Sequence, residues 1–97
     1  MPAYVIADIQ VTDPVRYEEY KRLAAASIAK YGGKYIARSG KASRLEGSWT
    51  PSRLVILEFE SYERARQWYD SPDYRTARDI RQQTSTGNAV LVDGMPA

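Results

Sequence analysis

The run Glu46-Gly47-Ser48-Trp49-Thr50-Pro51-Ser52-Arg53-Leu54-Val55-Ile56-Leu57-Glu58-Phe59-Glu60 joins a polar, tryptophan-bearing turn to the most strand-like segment of the chain. Gly47 to Ser52 carries the Gly, Pro and Ser that punctuate turns. Arg53 to Glu60 is β-branched, aliphatic and aromatic, and it alternates. Side chains of a strand point to opposite faces in turn, so Val55, Leu57 and Phe59 share one face and Leu54, Ile56 and Glu58 the other. A strand apolar on both faces is expected at the centre of a sheet, and the rest of the chain is read outward from it.

Upstream, Lys34 to Ser39 reads as a strand, with Gly40 as a bulge and Ala42 to Glu46 continuing beyond it. Before that, Asp13-Pro14 marks a helix start, because the Asp carboxylate caps free N–H groups and proline suits the first helical position. Tyr17, Tyr20, Ala24, Ile28 and Tyr31 then recur on one helical face, and Gly32-Gly33 ends the helix. Ala3 to Val11 is a first strand whose odd positions (Ala3, Val5, Ala7, Ile9, Val11) are all apolar. Its even positions (Tyr4, Ile6, Asp8, Gln10) are mixed. Downstream, Ser61 caps a helix with Tyr62, Ala65, Trp68 and Tyr69 on its apolar face. Ser71-Pro72-Asp73 repeats the cap-then-proline pattern, so the helix breaks and restarts, with Tyr74, Ala77 and Ile80 lining the second piece. Thr84 to Asn88 reads as a loop and Ala89 to Asp93 as the last strand.

The order is therefore βαββαβ in a single domain of 97 residues. Two right-handed βαβ crossovers predict an α+β, ferredoxin-like fold: a four-stranded antiparallel sheet with the helices on one face. Strands one and three are expected as the central pair, running parallel. The uncovered face would then present Tyr4, Ile6, Leu54, Ile56 and one side of Val90-Leu91-Val92. Monomers rarely leave so large an apolar patch bare, so a homodimer through the sheet faces is expected, against the alternative of a monomer with a greasy sheet.

Composition excludes several classes of chemistry. The chain is 43% hydrophobic and 27% charged, which is ordinary globular usage, and its formal charge of +2 is too small to suggest nucleic acid. It has no cysteine, hence no disulfide and no thiolate nucleophile. It has no histidine, which removes the commonest general base and transition-metal ligand. No apolar run is long enough to span a membrane, and the start lacks a signal pattern, so a cytoplasmic protein without a membrane partner is expected. No phosphate-loop, dinucleotide or nucleophile-elbow motif occurs.

Glu46-Gly47-x-Trp49-x-Pro51-x-Arg53, Glu58-Phe59 and Ala65-x-x-Trp68-Tyr69-x-Ser71-Pro72-x-Tyr74 together resemble the small bacterial domain of unknown function 1330 family. Pro14-x-x-Tyr17-x-x-Tyr20 and Gly32-Gly33 agree with it. The resemblance implies a ferredoxin-like fold of the dimeric α/β-barrel type. It carries over no catalytic residues, because the family has no assigned reaction.

The side chains themselves suggest a site. Asp8 and Glu58 each lie five residues into a central strand, on the mixed face. In parallel neighbours they could approach, and close carboxylates share a proton and do acid–base work. The alternative is that each is ion-paired, Glu58 with Arg38 or Lys34. Arg38, Arg53 and Arg81 could grip an acidic substrate, since the guanidinium fork matches a carboxylate; for Arg53 a bridge to Glu46 is the competing reading. Tyr17, Tyr20, Trp49, Trp68, Tyr69 and Tyr74 could wall an aromatic ligand, although for Tyr20, Trp68 and Tyr69 helical spacing favours core packing. Trp49, in a turn, would cap the barrel mouth, pack on the partner or close a pocket. Lys30, Lys34, Arg38, Lys41 and Arg44 form a basic run that reads as a solvated sheet edge rather than a nucleic-acid surface. The expectation is a protein that binds a small aromatic or acidic metabolite, with any activity being cofactor-free isomerisation or oxygenation. The alternative is a non-catalytic binding or interaction protein whose polar barrel interior is purely structural.

Overall fold

The computed structural model describes residues 1–96. Its elements are β1 (Ala3–Val11), α1 (Pro14–Lys30), β2 (Lys34–Arg38), β3 (Leu54–Phe59), α2 (Tyr62–Asp70), α3 (Pro72–Thr84) and β4 (Ser85–Asp93). The sheet order is β2-β3-β1-β4. This is the expected ferredoxin-like α+β architecture with one correction. The central pair β1 and β3 is antiparallel, with Ala3 opposite Phe59 and Asp8 opposite Leu54. The physical reason is the topology itself. A right-handed crossover makes β1 and β2 parallel, and β3 returns between them antiparallel to both.

The caps are those expected. The Asp13 carboxylate accepts from the Arg16 N–H, and the Ser61 hydroxyl accepts from the Arg64 N–H. Ser71 serves two helices at once, its Oγ donating to the Trp68 carbonyl at the end of α2 and accepting from the Tyr74 N–H at the start of α3. Buried Ala3, Ile9, Leu57 and Phe59 lie under the helices with Ala24, Ile28, Ala65, Trp68, Tyr74 and Ala77. The opposite sheet face is uncovered: Val90 is 58% and Val92 45% exposed.

Three boundaries differ from expectation. β2 stops at Arg38, because Ser39 takes a left-handed φ of 58° and turns the chain out of the sheet. No strand continues over 42–46. The bulge lies between Tyr35 and Ala37 rather than at Gly40. β4 begins at Ser85, so the polar stretch Ser85–Asn88 pairs with Asp8–Val11 instead of looping. Gly87 permits this close pairing, because a Cβ there would lie 2.1 Å from the Asp8 carbonyl oxygen. Pairing partners outweigh local propensity in such a strand.

Candidate functional site

Between the helices and the inner sheet face is a cavity of about 50 Å³. That is several times the minimum of roughly 10–15 Å³ needed to hold one water. Its apolar floor comes from Val5, Ala7, Val55 and Leu57, and its roof from Tyr17, Tyr20, Trp68 and Tyr74. Lys21, Arg38, Arg53 and Arg81 also line it, and among the described residues no Asp or Glu does. The Nε atoms of Arg53 and Arg81 are buried without a hydrogen-bond partner.

Each group arrives there for a local reason. Arg53 immediately precedes β3, on the same face as Val55 two residues on. Its guanidinium sits 5.6 Å from the centre of the Tyr17 ring, rather than on Glu46 as the bridge reading expected. Arg38 was expected across from Glu58, but the bulge at Ile36 shifts the alternation. Arg38 is thus opposite Val55, facing the helices, with its guanidinium 4.3 Å from the Tyr35 ring centre. Arg81 follows buried Ile80 on α3 and borders the cavity.

The tyrosines form a connected set. The Tyr20 and Tyr74 hydroxyls are 3.1 Å apart. The Tyr17 and Tyr20 rings are 5.0 Å apart, and the Trp68 and Tyr74 rings 4.2 Å. Burial pushes the Tyr17 phenol up, against the opposing pull of Arg53 and Arg81. Burial, reinforced by Tyr74, pushes Tyr20 far up. Both are therefore neutral hydroxyls at physiological pH, and the formal charge at the cavity is cationic. Trp68 is 2% exposed and its indole N–H donates to Ser27 Oγ at 3.0 Å, so its edge is committed to the core while its ring contributes to the wall.

The paired-carboxylate expectation fails on strand direction. Glu58 is opposite Tyr4, four residues along β1 from Asp8, or about 13 Å at the rise of a strand. Glu58 instead accepts from Lys34 Nζ at 3.1 Å and from the Tyr4 hydroxyl at 3.3 Å. The Lys34 alternative thus holds and the Arg38 one does not. Asp8 accepts from the Trp49 indole N–H (2.9 Å) and from the backbone N–H groups of Ser52 (2.9 Å) and Arg53 (3.2 Å). The Trp49 hydrogen bond, helped by the two backbone ones and opposed by desolvation, holds the Asp8 carboxyl below its usual range. Trp49 itself is 60% exposed and is no wall of this cavity.

Sequence reasoning missed Lys21 and Tyr35, and it weighed Tyr20 as a wall but favoured core packing, whereas Tyr20 lines the cavity. Lys21 next to Tyr20 on a helix gave no periodic signal. Tyr35 and Arg38 fall on one face only because of the bulge.

The family model for the domain of unknown function DUF1330 matches residues 2–95. No curated protein matches the chain. Among solved structures, a protein of unknown function from Rhodopseudomonas palustris superposes with a TM-score of 0.78 at 16% identity, covering 99% of this chain and 84% of that one. SnoaB, a cofactor-independent oxygenase from Streptomyces nogalater, superposes with a TM-score of 0.70 at 15% identity, covering 99% and 95%. A dimeric protein of unknown function and ferredoxin-like fold from Bacteroides fragilis gives 0.63 at 16% identity, covering 96% of each chain. At these identities the likeness is one of fold.

Proposed function

We propose that this chain, which belongs to the domain of unknown function 1330 family, binds a small organic anion with an aromatic or apolar body in the helix–sheet cavity. The observation that carries the reading is the pair of buried, unpartnered guanidinium nitrogens of Arg53 and Arg81 at a cavity that, among the described residues, no Asp or Glu lines. A buried donor nitrogen without a partner is costly, and a ligand carboxylate or enolate would satisfy it. The tyrosine and tryptophan rings suit the ligand's body, and the Tyr20 and Tyr74 hydroxyls suit its remaining polar atoms. Any chemistry is cofactor-free isomerisation or oxygenation of a substrate that the guanidinium groups hold as its anion. The fold shared with a cofactor-independent oxygenase supports that reaction class by analogy only. Asp8 and Glu58, both on the outer face, enter such chemistry only singly; the cavity's own proton carriers are the tyrosine hydroxyls.

Thermal shift with salicylate and with neutral benzyl alcohol tests the reading. A ligand that binds only the folded state raises the melting temperature. The rise is expected with salicylate alone, and it should shrink in Arg53→Gln and in Arg81→Gln. An equal response to both compounds, or none to salicylate, refutes it.

The same reading includes a cytoplasmic homodimer through the sheet faces. The bare Val90 and Val92 support it, as does the dimeric Bacteroides fragilis relative in fold. Solution scattering at low concentration should return a dimer mass, and a monomer mass would end that part of the proposal. Among the described residues no helix is long and apolar enough to cross a membrane.

A further inference from the structure

We propose that Asp8 is a positioning residue for the cavity: from the outer face of the sheet it locks the backbone of Arg53, so that the Arg53 guanidinium projects to the inner face. Only the ligand arm of this proposal rests on the anion-binding reading.

Between β2 and β3 the chain runs a long way outside the sheet. Residues 39–50 are all exposed, so packing does little to fix where the chain re-enters the sheet. Asp8 supplies what packing does not. Its Oδ1 accepts from two consecutive backbone N–H groups, Ser52 and Arg53, and its Oδ2 accepts from the Trp49 indole. On the other side of the same residue, the Arg53 carbonyl accepts from the Ile9 N–H at 3.0 Å. Arg53 is therefore held at both its N–H and its C=O by adjacent residues of β1. With the backbone held in strand register, side-chain alternation leaves one direction for the guanidinium, towards Val55's face and the cavity.

Hydrogen bonds to a carboxylate are the stronger kind, and three converging on one group make the re-entry point well defined. Asp8 thereby acts on the cavity without lining it. Trp49 closes the latch from outside, which accounts for an exposed tryptophan in a turn.

The test uses the ¹⁵N-labelled full chain, and follows exchange of the side-chain Nε–H of Arg53 and of Arg81. In Asp8→Ala, exchange at Arg53 should rise by about tenfold or more while Arg81 stays within about twofold, because only the local opening equilibrium at Arg53 changes. Trp49→Phe keeps both backbone bonds and should leave Arg53 near wild type. Unchanged exchange at Arg53 in Asp8→Ala, or an equal rise at Arg81, overturns the proposal. If Asp8→Ala does not fold, Asp8→Leu carries the same comparison. It fills the site but offers no acceptor to the Ser52 and Arg53 N–H groups, so Arg53 exchange should still rise selectively, and wild-type exchange there overturns the proposal.

The ligand arm is a double-mutant cycle with salicylate. Asp8→Ala should weaken binding by about tenfold in the wild-type background and add nothing in Arg53→Gln, since coupled residues are non-additive. Equal losses in both backgrounds refute action through Arg53. If wild type fails to bind salicylate, the anion-binding reading falls, and the exchange arm still decides the role of Asp8.

Discussion

Ser27→Ala is the sharpest test of how the cavity roof is built. Ser27 is buried on α1, where its Oγ donates to the Ala24 carbonyl at 2.9 Å and accepts from the Trp68 indole N–H at 3.0 Å. Trp68 packs at 5.2 Å from Phe59 and 4.2 Å from Tyr74, ring centre to ring centre, so it cannot swing its edge to water. Removing the hydroxyl leaves a buried N–H without a partner, which costs about 1–3 kcal/mol. Alanine returns roughly 0.5 kcal/mol through better helix propensity. The Ala24 carbonyl keeps its intrahelical partner, so its loss is small. The net expectation is a destabilisation of about 1.5 kcal/mol, or a melting-temperature drop of roughly 6–12 °C for a domain of this size. Urea denaturation of Ser27→Ala alone, of Trp68→Phe alone and of the double variant measures it. In the Trp68→Phe background the donor is already gone, so Ser27→Ala should cost close to nothing. A cost below about 0.5 kcal/mol in the wild-type background would refute the reasoning, since that is the range of inert surface changes. An equal cost in both backgrounds would also refute it, because the effect would then not run through the indole.

Two further outcomes follow from the same geometry. Asp8 and Asp73 titrate below their usual value of 3.8, Asp8 chiefly through the Trp49 hydrogen bond and Asp73 chiefly through the Lys30 one. Their stabilising contributions are thus complete above that value and disappear as pH falls through the lower folded-state values. Lys30 titrates above its usual value of 10.5, first through its hydrogen bond to Asp73, so its contribution is complete below that value and disappears as pH rises through the higher folded-state one. Thermal melts across pH should show a shallower acid limb in Asp8→Asn than in wild type, and superimposable limbs would count against the latch carboxylate. Gly87→Ala should cost about 3 kcal/mol or more, because its Cβ would meet the Asp8 carbonyl and its φ of +155° disfavours a side chain. Gly40→Ala, with nothing within 4 Å, should be near neutral in the same urea titration. A tolerated Gly87→Ala would mean that β1 and β4 do not pair as closely as described.

Local signals carried much of the fold. Asp13-Pro14, Ser61 and Ser71-Pro72 act within one helical turn of themselves, so the starts of α1, α2 and α3 were legible. The face of β3 that meets the helices was legible too, because alternation is a property of the strand alone. Strand direction was not: β1 and β3 are joined through two other elements, and a wrong parallel pairing put Asp8 and Glu58 together when the sheet holds them apart.

The candidate site divides along the same line. The amino-acid sequence by itself determined which residue types were present to make a site: arginines and aromatic hydroxyls, with neither histidine nor cysteine. Only the tertiary structure decided which of them meet. The bulge at Ile36 turned Arg38 inward, and the return of the long segment onto Asp8 aimed Arg53. The packing of α1 on α3 brought Tyr20 to Tyr74. The physical reason is range. Caps and alternation are set by neighbours a few residues away, whereas the register of a bulged strand and the aim of a side chain depend on partners tens of residues distant. Those partners exist only once the sheet has formed.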